Sequence, residues 1–213
     1  MKVVVILSGG VDSATVAYYA RSKAYDVHAI TFDYGQIASK EVHHAMMIAD
    51  RLGICHKVID ISSLRSLLEN NALMNDSIPM PSEFDPSIIV PFRNAIFLSI
   101  AVAYAVSIGA GKVMYGAHGS DSPHYPDCRK EFYDAFQKAA RLGTETQIEI
   151  EAPFHNMKKS EIIMLGAELG VPYEITWSCY LNRNNHCGAC ESCINRKRAF
   201  TDAGLKDPTC YER

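Results

Sequence analysis

Residues 3–15 read Val-Val-Val-Ile-Leu-Ser-Gly-Gly-Val-Asp-Ser-Ala-Thr, a stiff apolar run that stops against two adjacent glycines. A strand with no polar alternation has to be covered on both faces, which places it inside a parallel sheet. Glycines after it permit φ > 0 and close approach of a ligand. Asp12 and Ser13 then suit the opening of a helix. Bare backbone N–H groups at the carboxyl edge of a sheet, together with a helix N-terminus, favour an anion. Ser8 and Ser13 add hydroxyls, so the ligand that fits is a phosphate chain, with Asp12 placed to hold its Mg²⁺. A turn of small residues explains a lone glycine pair equally well. The complete string Ser-Gly-Gly-Val-Asp-Ser at the first strand–helix junction says more. No Gly-Lys-Ser/Thr follows, so the loop is not of the Walker type.

The pattern continues as alternating strands and helices. Strands are expected at 3–7, 27–32, 57–61 and 112–115. Helices are expected at 13–22, 40–52, 93–109, 131–141 and 158–169, with Gly170 as a stop, and a short helix at 63–70. Four prolines between 71 and 92 forbid a long helix there and predict an ordered surface excursion. The order β-α-β-α-β predicts a parallel sheet with helices on both faces and right-handed crossovers. A basic stretch, 196–198, is expected on a last helix.

The chain has 213 residues, enough to bury a sizeable core without disulfides. Its net charge is −3, which gives no electrostatic case for a nucleic-acid partner. The apolar start is too short for a signal peptide, and the stretch 95–110, interrupted by Ser99, Tyr104 and Ser107, reads as a core helix rather than a membrane span. These features predict a cytoplasmic protein with no membrane partner.

Of seven cysteines, four cluster as Cys179-x7-Cys187-x2-Cys190-x2-Cys193. Four thiolates at short spacing suit a closed, structural Zn²⁺ site that pins the tail, and Gly188 permits a tight knuckle. The flanking Asn, Arg, His and Glu argue against four unliganded core cysteines. An iron–sulfur cluster uses the same four thiolates and remains the competing occupant. His186, beside Cys187, reads as a surface histidine.

Three further polar strings lie at strand ends, where open α/β sheets bind ligands: Phe-Asp-Tyr-Gly-Gln at 32–36, Val-Pro-Phe-Arg-Asn at 90–94, and Gly-Ser-Asp-Ser-Pro-His-Tyr-Pro-Asp-Cys-Arg-Lys-Glu-Phe at 119–132. Singly, each reads as core aromatics, a helix opening or a plain turn. In order along the chain they point elsewhere.

The first loop resembles the pyrophosphate (PP) loop of the ATP pyrophosphatase superfamily, which includes NAD synthetase, GMP synthetase and tRNA-modifying enzymes. With Tyr-Pro-Asp-Cys-Arg and Cys-Gly-x-Cys-x-x-Cys, the chain from Val3 to about Phe200 resembles the 7-cyano-7-deazaguanine synthase family, which makes the nitrile precursor of queuosine and archaeosine. The resemblance implies a Rossmann-like α/β PP-loop unit over 1–150 and a C-terminal helical part with the zinc site over 151–213, in one compact unit, often a homodimer. It implies a C–N-forming ligase that activates 7-carboxy-7-deazaguanine with ATP, takes free ammonia as donor, and converts the resulting amide to a nitrile. Leu7, Ser8, Gly9, Gly10, Val11, Asp12, Ser13 and Phe32 would bind ATP, and Asp12, Arg93 and Lys159 would act on the phosphates. Two anions must approach, so positive charge and N–H donors are required.

The base presents N–H donors, so Asp121 and Asp127 are candidates to read it. Tyr125 or Phe92 would stack on the ring, Arg129 would pair with the substrate carboxylate, and Arg93 and Asn94 would complete the pocket. An acyl-adenylate makes nucleophilic use of Cys128 unnecessary. Phe92 departs from the family pattern, which has glycine there, and a bulky residue beside Arg93 is expected to reshape the pocket. That departure admits an amide-forming paralogue. A tRNA-thiolating PP-loop enzyme, or a non-enzymatic nucleotide sensor, are further alternatives.

Overall fold

The computed structural model describes residues 1–212. Five strands, β1 (Lys2–Ile6), β2 (Asp26–Asp33), β3 (Cys55–Asp60), β4 (Lys112–Met114) and β5 (Glu149–Glu151), form one parallel sheet in the order β3-β2-β1-β4-β5. Six α-helices connect and cover it: α1 (Val11–Ser22), α2 (Lys40–Leu52), α3 (Arg93–Ser107), α4 (Lys130–Thr144), α5 (Lys159–Glu168) and α6 (Glu191–Asp202).

The apolar run of β1 is central because both its faces are used. Val4 and Ile6 join Ile30, Phe32, Val113 and the α3 residues Leu98 and Ala101 in one core. Val3, Val5 and Leu7 join Ala14 and Ala17 of α1, Ile48 of α2, and Ile162 and Ile163 of α5 in the other. Val3, Val4 and Val5 are fully buried, each contributing about 1.5–3 kcal/mol of burial free energy. The stretch 86–107 is apolar and long enough to cross a membrane on composition alone, but α3 lies on the sheet with Ala95, Leu98, Ala101 and Ala105 buried.

The expected elements form, with ends shifted by a few residues. β5 is the element the pattern did not predict. It is three residues long, Glu-Ile-Glu, and only Ile150 is buried. Lys112 of β4 pairs with Glu149 and Glu151 across that edge, so register there rests on charge rather than an apolar pattern. β5 lies across position 150, and α5 packs on α1.

The proline-rich excursion is ordered. Asn71 bonds through its side chain to Ile89 O (2.7 Å) and Leu73 N (2.9 Å), closing the loop, while Ala72, Leu73 and Met74 are buried. The basic stretch 196–198 does lie on α6. Arg196 is 0 % exposed there, paired with Asp207 and bonded to Thr176 Oγ1 (2.7 Å) and Tyr173 O (3.0 Å). This buried pair ties the C-terminal tail to the body.

Candidate active site

β1 and β4 are neighbours whose connections leave in opposite directions, so the crevice beyond their carboxyl ends is the topological switch point of the sheet. The Ser8–Ser13 loop sits there. Its two glycines have different reasons. Gly9 has φ +84°, and a Cβ there would lie 2.3 Å from Glu41 O and 2.9 Å from Ala45 N, so it is the close approach of α2 that requires glycine. Gly10 opens α1 in extended backbone, and a Cβ there would meet nothing nearer than 3.6 Å. The first bond of the helical ladder runs from Ala14 N to Gly10 O, so the amides of Val11, Asp12 and Ser13 precede it. Ser8 N donates to Ser13 Oγ (3.1 Å), and Trp177 N donates to Gly9 O (2.9 Å). The loop is thus held from inside, from α2 and from the C-terminal tail.

Two cavities flank it. The deeper, of about 210 Å³, is lined by Leu7, Ser8, Gly10, Asp12 and Ser13 of the loop, Phe32 and Tyr34 beyond β2, and Arg93, Asn94 and Phe97 of α3. The wider, of about 560 Å³, lies between Phe84, Tyr125, the start of α5 and the exposed face of α6. Asp121 borders both.

A charged cluster stands between the two. Lys159 Nζ donates to Asp12 Oδ2 (2.9 Å), and His118 Nε2 lies 3.7 Å from Asp12 Oδ1 and 3.3 Å from Asp121 Oδ2. Burial alone would raise the Asp12 carboxyl, but the Lys159 ammonium and His118 hold it below the usual carboxylate range. Burial raises Asp121. Asp12 Oδ1 is buried without a hydrogen-bond partner, an arrangement that fits a divalent cation. In this position Asp12 would be the ligand and the cation would neutralise phosphate charge.

The remaining expected residues divide. Asn94 donates to Cys128 Sγ (3.3 Å) in the deeper cavity, and burial pushes that thiol up to about 12, so it is a poor nucleophile at neutral pH. Asp127 is occupied, because its carboxylate accepts from Asn94 N (3.0 Å) and caps α3. Tyr125 lines the wider cavity. Arg129 is exposed, donates to Ser122 O (2.9 Å) and lines neither cavity. Phe92 is 65 % exposed, with its ring against Phe132, and also lines neither cavity. Its φ of +58° is a conformation that glycine adopts more readily, and its ring lies outside both cavities.

Sequence reasoning missed Glu41 and His118. Glu41 lines the deeper cavity with Gln36 Nε2 on Oε1 (2.8 Å), and burial raises it to about 7 against the pull of Arg93. An acid in the first turn of an amphipathic helix carries no signal by itself. His118 followed β4 as one polar residue among several.

The four cysteines meet as expected. Their Sγ atoms all lie within 4.8 Å of one another, all four residues are buried, and Cys187 and Cys193 Sγ are 3.9 Å apart. A tetrahedral Zn²⁺ with bonds near 2.3 Å separates its sulfurs by about 3.8 Å, so the set fits a metal. Backbone N–H groups of Leu181 and Cys187 point at Cys179 Sγ, and those of Ala189 and Cys190 at Cys187 Sγ, as thiolates require. His186 is buried rather than on the surface. Its Nε2 accepts from Ser178 N (3.0 Å), its ring packs on Trp177, and burial lowers it to about 4, keeping it a neutral acceptor.

A double-glycine loop opening a helix at the switch point of a five-stranded parallel sheet defines an α/β protein of the PP-loop fold. An NH₃-dependent NAD synthetase from Campylobacter jejuni shares this fold, with TM-score 0.52 at 20 % identity over 82 % of this chain and 66 % of that one. The family model described as "Queuosine biosynthesis protein QueC" matches residues 2–204, and the chain belongs to that family. A 7-cyano-7-deazaguanine synthase from Caldicellulosiruptor bescii is 45 % identical, covering 100 % of this chain and 98 % of the relative. One from Archaeoglobus fulgidus is 46 % identical, covering 98 % and 89 %.

Proposed function

We propose that the protein is an enzyme that converts 7-carboxy-7-deazaguanine, ammonia and ATP to 7-cyano-7-deazaguanine. The observation that carries this reading is near-complete coverage by synthases at 45–46 % identity, in a chain whose PP-loop sits at the sheet's ligand-binding edge. The deeper cavity takes the nucleotide, with its triphosphate on the Val11–Ser13 amides.

A carboxylate oxygen of the acid attacks the α-phosphorus, and pyrophosphate leaves. Ammonia then forms the C–N bond, and AMP departs with the former carboxylate oxygen. The amide oxygen attacks a second α-phosphorus. AMP leaves with that oxygen as the nitrogen loses both protons, giving the nitrile.

The chain's own residues serve the charge problem in each half. Lys159 and Arg93 offset negative charge as acid and triphosphate meet, and the loop amides hold the leaving pyrophosphate. Lys159 also stays charged: burial opposes its proton, but Asp12 and Asp121 outweigh burial and raise it. A cation on Asp12 would supply further charge neutralisation, and zinc on the four cysteines would serve structure alone.

The test is mass spectrometry of products from the acid, ATP and ammonium. Nitrile with two AMP per turnover is expected. Amide alone would make the chain an amide-forming relative, and no product would refute the reading.

A further inference from the structure

The wider cavity opens on the far side of the Asp12–Lys159 pair from the loop amides. On one side α6 presents Glu191, Ile194, Asn195 and Arg198. Their spacing i, i+3, i+4, i+7 defines one helix face. Three of the four are polar, and all face open space. Opposite stand Phe84, stacked on His124 at 4.1 Å, and Tyr125, edge-on to Phe84 at 6.0 Å. The inner end is the start of α5, with Lys159, beside Asp121. His118 lines the same space and is 3 % exposed, with Nε2 facing the Asp121 and Asp12 carboxylates and Nδ1 without a hydrogen-bond partner. A buried imidazole nitrogen left unsatisfied calls for a polar occupant.

We infer that this cavity binds the deazaguanine acid, with its carboxylate toward Lys159 and its N1–H and 2-amino edge on Glu191. The inference rests on the function proposed above. The charge layout sets the orientation. Lys158, Lys159 and the N-terminus of α5 lie at the end that meets the loop, beside Asp121, and this is where the carboxylate has to reach the α-phosphorus. An ionised carboxylate is acceptor-only and suits two adjacent N–H donors.

Glu191 is held for this task. Tyr180 Oη donates to its Oε2 (2.9 Å) and Asn195 Nδ2 donates to its Oε1, which leaves lone pairs on both oxygens. Its backbone N–H donates to Pro81 O (3.0 Å), tying α6 to the loop that carries Phe84. It also sits between Cys190 and Cys193, so the cysteine cluster fixes the position of the base reader as well as the tail.

The test compares wild type with Glu191→Gln and Glu191→Ala, using 7-carboxy-7-deazaguanine and its analogue lacking the 2-amino group. The KM for the acid should rise about 10- to 100-fold, with the KM for ATP unchanged. The analogue should be penalised in the wild type and not further penalised in Glu191→Ala. A KM for the acid that stays at the wild-type value, or an equal analogue penalty in both proteins, would overturn the inference. Metal content and melting temperature identify a variant that fails to fold, and Tyr180→Phe, which only frees the carboxylate, then supplies the comparison with a smaller rise in the same KM. Calorimetric binding of the acid without ATP separates this subsite from the reaction. Wild type should bind and Glu191→Ala should bind at least tenfold more weakly, whatever product is formed.

Discussion

Gly9 and Gly10 carry equal weight in the sequence, but the structure assigns them unequal costs. An alanine Cβ at position 9 would lie 2.3 Å from Glu41 O and 2.9 Å from Ala45 N, and at φ +84° it has no relaxed conformation. Both neighbours are backbone, so no rotamer change relieves the contact. An L-residue in left-handed backbone costs about 1–2 kcal/mol. Restoring ordinary contact moves α2, which holds Ala45, Ile48 and Ala49 in the core, and such overpacking costs about 1–3 kcal/mol. Gly9→Ala should therefore lose about 2–5 kcal/mol in urea unfolding. Gly10→Ala, at φ −80° with its nearest contacts at 3.6 Å, should change stability by less than about 1 kcal/mol. Equal losses in the two variants, or a Gly9→Ala protein as stable as wild type, would refute the argument that α2 rather than the ligand demands the first glycine.

Other consequences are equally open to measurement. Lys159→Met should lower kcat by about 10²–10³-fold while leaving the fold intact by circular dichroism, as expected for a group that acts on developing charge. Arg196→Met removes the cation from the half-buried Asp207, which keeps only its bonds from Tyr211 Oη and Thr209 N, and should cost about 1–3 kcal/mol in urea unfolding. Burial alone would raise Asp207, but Arg196 outweighs it and holds the carboxyl low, so the pair's contribution is full above the unfolded value of about 3.9 and fades as pH falls below it. The stability gap between wild type and Arg196→Met should accordingly narrow in acid. Atomic absorption should find one zinc per chain, and chelation should lower the melting temperature and open the segment after Trp177 to proteolysis.

How far the sequence could be read follows from where the signals are local. The β1 run, the loop after it and the four-cysteine spacing each impose structure within a few residues, and all three form as expected. β5 escaped because a short edge strand needs only one buried residue, and its partner Lys112 is 37 positions away from Glu149. The pocket escaped for a related reason. Asp127 and Arg129 sit in the most distinctive string, yet the fold uses one as a helix cap and turns the other to a loop carbonyl. Glu41 enters the deeper cavity from α2, and His118 and Glu191 enter the wider one from the loop after β4 and from α6, placements that no local spacing announces.

The proposed synthesis requires direct attack of the acid's oxygen on the α-phosphorus of a nucleotide held by the loop after β1. Turnover of 7-carboxy-7-deazaguanine labelled with ¹⁸O in its carboxylate tests this most directly. The label should appear in the phosphate of AMP, with unlabelled pyrophosphate. Label in orthophosphate accompanied by ADP would place the attack on the γ-phosphorus and contradict the account.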